Sequence, residues 1–329
     1  MKLQHVLASA ALISAALCGS VQAAQDRANI FYYSLNDSFV NQFSVQVRES
    51  AAAWDMKLAE YDAGDDLAKQ LTQVQTALSQ NRNPLIVNPV DALNGEAVLR
   101  NAKRAHVPVI FFNRKPSDKV MASYDDAWYV GTDPAQAGRY QAEILIDYLA
   151  AHPEADKNGN GQIEYVLIKG EATHQDTQQR TNTFIRTMMD AGVAGEPLYT
   201  GNADWSYTKA LNMMKEVLFT HKINEIEAII CNNDSMALGV LNELQAHGYN
   251  SGDTSKFIPL IGIDALPQAI EAISRNQMVG TVLNDSRSLA EICIKIAKAY
   301  CEDKPVTEDL IGLPIENRQI EIPYVKYSM

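Results

Sequence analysis

From residue 29 onward, short unbroken apolar runs alternate with stretches in which apolar residues recur every three or four positions. The runs at 30–33, 85–87, 107–112, 129–131, 165–168, 228–231, 258–263 and 279–283 are mostly β-branched, aromatic or leucine. Such runs are expected of parallel strands buried on both faces. Between them lie helical patterns: Phe39, Phe43 and Val47 recur every four residues across 39–54. Further helices are predicted near 66–80, 92–105, 135–151, 175–190, 206–219, 235–246, 266–275 and 286–300. Strands alternating with helices at this spacing predict βαβ units, hence an α/β chain built on doubly wound parallel sheets. The segment 115–128 breaks the rhythm, which places a domain crossover near Gly131.

Length and composition sharpen this picture. The 329 residues are 47% hydrophobic and 21% charged, and at ~100–200 residues per domain they suggest two domains, each with its own core. A net charge of −12 argues against nucleic acid or anionic membrane surfaces as partners, because little here would neutralise phosphates. No apolar run reaches the ~18–20 residues of a membrane span.

The first 23 residues stand outside the alternation. Lys2 opens them, an apolar stretch covers 6–17, and small residues lead to Val21-Gln22-Ala23. That is a secretory signal with cleavage before Ala24; a short amphipathic N-terminal helix is the competing reading. Leu17 fits lipoprotein processing at Cys18 poorly. Export leaves Cys231, Cys293 and Cys301, too few for a disulfide scaffold. Cys293 and Cys301 lie roughly 12 Å apart on one predicted helix, too far to bridge, so buried free thiols are expected.

In open α/β sheets, ligands sit beyond the carboxyl ends of the strands. Those ends carry one consistent set of groups: Asn36, Asp37 and Phe39 after Tyr33, then Asn113, then Glu171, His174, Asp176 and Arg180, then Asn232-Asn233-Asp234, Asp264 and Asn284-Asp285. Planar amides, carboxylates and an arginine form paired hydrogen bonds with vicinal hydroxyls, while aromatic faces cover the C–H side of a sugar ring. Asn and Asp at strand ends also cap helices, so any single position is ambiguous. Phosphate-cradling glycine loops, HExxH, CxxC and GxSxG are all missing. The pair Asp37 and Asp176 keeps a glycoside-processing enzyme open as an alternative.

One metal motif is present. Residues 156–164 place Asp156, Asn158, Asn160 and Glu164 at positions 1, 3, 5 and 9 of an EF-hand-type calcium loop. Gly161 makes the turn and Gln162 would donate its carbonyl. Position 12 is Leu167, and the loop runs into a strand, so a true EF-hand is excluded and a further carboxylate must come from elsewhere. A solvated Asn/Gly turn is the competing reading.

Taken in order along the chain, these motifs resemble the periplasmic D-galactose/D-glucose-binding proteins, the substrate-binding components of methylgalactoside-type sugar importers. The likeness covers essentially the whole mature chain, including Tyr33 with 36–39, 109–113, 129–133, 169–171, His174-x-Asp176-x-x-x-Arg180, 232–234, 262–267 and 280–285. It implies a periplasmic binding protein-like fold of two lobes joined by a three-segment hinge. The lobes would be 24–131 with 286–318, and 132–285 with 319–329. It implies no chemistry on the ligand. Phe39 and Trp205 would sandwich a pyranose ring, and Asp37 would take its 4-hydroxyl. Asn113 and His174 would lie near O6, with Asp176 and Arg180 at the anomeric hydroxyl and ring oxygen. Asn233, Asp264 and Asn284 would bind the remaining hydroxyls, and Tyr33 would line the pocket.

The resemblance also implies a structural calcium, with Glu227 supplying the missing carboxylate; Asn160 and Glu164 depart from the usual Asp and Gln. The implied partners of this periplasmic monomer are D-galactose or D-glucose, an ABC sugar permease and a chemotaxis receptor. A sugar-responsive transcription regulator of the same fold is disfavoured by the export signal and the acidity. The segments 250–256 and 301–317 depart from the resemblance, the former as a longer surface loop.

Overall fold

The computed structural model describes residues 25–328, so the export signal lies outside the described residues. The first sheet contains β1 (Arg27–Tyr32), β2 (Lys57–Asp62), β3 (Leu85–Val87), β4 (Val109–Phe112) and β5 (Ala127–Gly131). The second contains β6 (Gln162–Lys169), β7 (Ala194–Asn202), β8 (Ala228–Cys231), β9 (Leu260–Ile261) and β10 (Gly280–Leu283). Two closing strands follow, β11 (Gln319–Glu321) and β12 (Val325–Ser328). The strand orders are β2-β1-β3-β4-β5-β11 and β7-β6-β8-β9-β10-β12. Every pairing is parallel except β12, which runs antiparallel to β10.

The same winding thus occurs twice, and each sheet reverses its order once, between β1 and β3 and between β6 and β8. Those reversal points are where open sheets leave a crevice for ligands. The chain passes between the sheets three times: after β5, after β10 and after β11. One expected boundary is corrected here. β11 pairs with β5 through Gln319↔Tyr129 and Ile320↔Val130, so Gln319–Glu321 belongs to the first lobe and the last crossing follows Glu321.

The helices are α1 (Ser38–Ala53), α2 (Leu67–Gln80), α3 (Ala92–Ala105), α4 (Asp118–Met121), α5 (Pro134–Ala151), α6 (Gln175–Asp190), α7 (Tyr207–Thr220), α8 (Asp234–Ala246), α9 (Pro267–Ser274), α10 (Ser286–Cys301) and α11 (Glu308–Ile311). They cover both faces of each sheet. In the first lobe, Ile30, Ile86, Ile110 and Val130 pack toward α1 and α10, while Phe31, Val87, Val109 and Phe111 pack toward α2 and α3. Alternate residues of one strand enter opposite cores, which is why the central strands read as unbroken apolar runs.

The edge strands β2, β7, β11 and β12 escape that signature because most of their residues are partly or fully exposed. Cys231 and Cys293 are buried free thiols, whereas Cys301 is half-buried, its Sγ beside the Arg27 carbonyl at 3.5 Å. The 251–256 loop is exposed, but it hangs from the fully buried Asn250, whose amide donates to the Ile258 and Gln277 carbonyls.

Candidate functional site

The crevice between the lobes collects the strand ends. Tyr33, Asp37, Phe39, Asn113, His174, Asp176, Arg180, Trp205, Asn233, Asp264 and Asn284 all line one narrow cavity, together with Arg114. Wider, more open spaces flank it and share its walls, so the cavity is the narrow centre of a longer cleft.

Capping and cleft lining turn out to be compatible roles for the same side chains. Asp37 Oδ1 accepts from Val40 N at 2.9 Å and so caps α1, while Oδ2 accepts from the Tyr33 hydroxyl at 2.7 Å. Burial and the neighbouring carboxylate push the Tyr33 hydroxyl well above its ordinary range, keeping it a donor. Each Asp37 oxygen retains a second lone pair for a ligand. Asn233 likewise caps α8 through Met236 N at 3.0 Å, which leaves its amide nitrogen free of any strong bond.

The second-lobe wall is organised around Arg180, which is 4% exposed. Its guanidinium donates to Asp176 Oδ2 at 3.0 Å, to the Asn232 carbonyl at 2.8 Å and to the Tyr324 hydroxyl at 3.0 Å. Tyr324 in turn accepts from Thr132 Oγ1 at 2.9 Å, so two of the crossing segments meet at this arginine. Its Nε is buried without a protein partner, as is that of Arg114. Buried donors of this kind are costly unless a ligand or water accepts from them.

His174 caps α6 by accepting from Asp176 N at its Nδ1, at 3.1 Å. Burial lowers its pKa to about 4, so at neutral pH the ring is uncharged. With Nδ1 accepting, the proton resides on Nε2, which makes that nitrogen a donor. Its ring meets Trp205 edge-on at 5.3 Å between centroids. Trp205 sits at φ 63° and packs so closely on Gly170 that a Cβ there would meet the indole at 2.2 Å. Glycine is therefore required at 170 for the indole to reach the cleft.

Asp264 is held in a strained conformation, φ 122°, followed by Ala265 at φ 55°. The fully buried Asp234 supports this turn: its carboxylate accepts from Leu266 N at 2.8 Å and from Thr281 Oγ1 at 2.7 Å. Asp264 itself is pushed upward by burial, opposed by Arg180, and accepts from Asn284 Nδ2 at 3.2 Å.

The sequence reading missed Arg114 as a cleft residue. Its guanidinium carbon lies 3.9 Å from the Tyr33 ring centroid, and Nη2 donates to Glu171 Oε1 at 2.7 Å. The only local signal is its place directly after Asn113, itself at φ 61°, at the end of β4.

The 156–164 turn folds around its own oxygens. Asp156 accepts from Gly159 N and Gly161 N at 2.7 and 2.9 Å, Asn158 Oδ1 accepts from Asn160 N at 2.9 Å, and Asn160 Oδ1 from Gln162 N at 2.7 Å. The amides of Asn158 and Asn160 donate to the two oxygens of Glu164 at 2.9 and 2.8 Å. Glu227 Oε2 accepts from Glu164 N at 3.1 Å, and its carboxyl is pushed up by burial and by Glu164. Among the described residues, no three His, Cys, Asp or Glu side chains converge as a metal-binding group.

Two doubly wound lobes, three crossings and a polar cleft between them define a two-lobe binding protein. A family model described as a periplasmic binding protein domain matches residues 28–305, and the chain belongs to that family. It is a substrate-binding protein and not an enzyme, which closes the glycoside-processing alternative. The D-galactose/methyl-galactoside binding periplasmic protein of Haemophilus influenzae is 34% identical over 327 residues, 99% of this chain and 96% of that one. The ribose import binding protein of Escherichia coli is 25% identical over 282 residues, 86% of each chain. A solute binding protein structure from Bacillus halodurans with bound myo-inositol has a TM-score of 0.76 at 25% identity, covering 94% of this chain and 96% of that one.

Proposed function

We propose that this protein is exported, captures D-galactose or D-glucose in the interlobe cavity, and delivers it to an ABC sugar permease. The observation that carries the reading is that every side chain assigned by resemblance to a hexose hydroxyl or ring face lines one cavity between the lobes. The 34% identical relative, named for galactose and methyl-galactoside, supports the choice of hexose. In this reading Asp37 accepts from the 4-hydroxyl of either epimer, using the lone pairs that α1 and Tyr33 leave free. Arg180 and Asp176 hold the anomeric hydroxyl and ring oxygen by charge-assisted bonds. His174, a neutral donor, and Asn113 reach the O6 side, and Phe39 and Trp205 cover the ring faces. Asn233, Asp264 and Asn284 take the other hydroxyls.

Titration calorimetry with D-galactose, D-glucose, D-ribose, D-allose and myo-inositol tests this. Galactose and glucose should bind at least a hundredfold more tightly than the others, because a missing or inverted hydroxyl leaves a buried partner unpaired. Binding of ribose or myo-inositol with neither hexose bound would overturn it. Export predicts that protein recovered from the periplasm begins at Ala24; retention of residues 1–23 would count against it. A chemotaxis receptor is a further proposed partner, checked by whether cells lacking the protein lose galactose taxis.

We also propose a structural calcium held by Asp156, Asn158, Asn160, the Gln162 carbonyl, Glu164 and Glu227. The donor set is all oxygen, as calcium prefers. Glu164 and Glu227 are both buried and lie against each other, while the Lys157 Nζ donates to the Ile226 carbonyl. A bound ion would tie the entry to β6 to the residue preceding β8.

A further inference from the structure

Arg114 lines the central cavity and both flanking spaces, while Glu171 lines only the flanking ones. The two residues come from opposite lobes, Arg114 from the loop after β4 and Glu171 from the loop after β6. Their 2.7 Å contact is the one ion pair between the lobes among the described residues. The arginine is held on its own side by two contacts: Nη1 donates to the Val90 carbonyl, and its plane covers Tyr33, whose hydroxyl in turn donates to Asp37. The pair is largely shielded, with side-chain exposures of 8% and 28%, so salt screens it little and its geometry is held.

The bridge lies where the outer spaces meet the narrow centre, with Arg114 common to all three. The remaining direct side-chain bond across the cleft, Ser38 Oγ to Ser235 Oγ at 3.2 Å, is uncharged and longer. We propose that Arg114 and Glu171 form a latch that holds the lobes closed and sets how long a captured ligand stays. Glu171 acts as a positioning residue: it touches no part of the central cavity and works through Arg114. This inference rests on the two-lobe capture reading but not on which ligand is captured.

The test uses the full mature protein and the variants Glu171→Gln, Arg114→Gln and the double variant. In stopped-flow measurements with D-galactose, Glu171→Gln should raise the dissociation rate about tenfold and leave the association rate within twofold. The double variant should dissociate no faster than Arg114→Gln alone, since each change breaks the same bridge. An unchanged dissociation rate in Glu171→Gln, a loss confined to association, or multiplicative effects in the double variant would overturn the latch. A second readout needs no ligand: a spin label on one lobe reports the closed population through relaxation enhancement on the other. That enhancement should fall at least twofold in Glu171→Gln. Equal enhancement in both proteins, or none in either, rejects the latch whatever the ligand proves to be. Failure of galactose to bind, with the ligand-free difference intact, would instead reject the hexose reading alone.

Discussion

The interlobe cleft and the 156–164 turn draw on the same residue types, yet they use their polar atoms differently. In the turn, oxygens are spent locally: Asp156, Asn158 and Asn160 accept from backbone N–H groups two to five residues away. In the cleft, bonds reach across the sequence, as when Arg180 joins Asn232 and Tyr324, and two arginine Nε groups are left buried without partners. The turn is therefore shaped mainly by its own segment, braced from afar by Glu227, whereas the cleft exists only once distant loops have been assembled. The two regions should respond differently to perturbation, and the following experiments use that contrast.

The largest effect is expected at Arg180. Replacing it with Leu leaves Asp176 and Asp264 without their shared cation in a buried wall, and losing one partner of such a pair costs ~3–5 kcal/mol. Chemical denaturation should show that loss, and calorimetry should show no hexose binding. A variant as stable as the wild type would mean that the cleft's charges are not mutually dependent.

Chelation should have the next largest effect. At calcium a hundredfold above its dissociation constant, binding contributes ~2.7 kcal/mol, so a chelator should lower the melting temperature by roughly 5–10 °C. Added calcium should restore it, with hexose affinity changing less than about threefold. Identical melting curves would sink the calcium reading.

The smallest effect separates the regions by pH. The His174 pKa is depressed by burial to about 4, below the 6.5 of the unfolded chain. Its stabilising contribution is full above pH 6.5 and is lost as pH falls toward 4, because the unfolded chain takes up the proton first. Between pH 7 and 5.5 the wild type should lose ~1 kcal/mol more stability than His174→Gln in urea melts. Parallel pH curves for the two proteins would place the ring in contact with water.

Much of this was legible from local pattern. Apolar runs marked the central strands because both of their faces are buried, and the donor-rich strand ends marked the cleft. The edge strands were not legible, because every position of β2 and β7 is exposed or half-buried and neither carries an apolar run. Arg114 carries no local signal beyond its place after β4; its meaning depends on Glu171, 57 residues later and on the other lobe. Asp234 looked like one more polar group at a strand end, although its buried carboxylate supports the strained turn at Asp264.

The sequence by itself determined the doubly wound lobes, the helices between their strands and the chemical type of each cleft residue, because periodicity and capping act within a few residues. The tertiary structure decided which lobe receives Gln319–Glu321, how Asp37 divides its oxygens between α1 and Tyr33, and that one ion pair closes the gap between the lobes. Those outcomes depend on distances between residues far apart in the chain, and such distances are set only when both cores have packed.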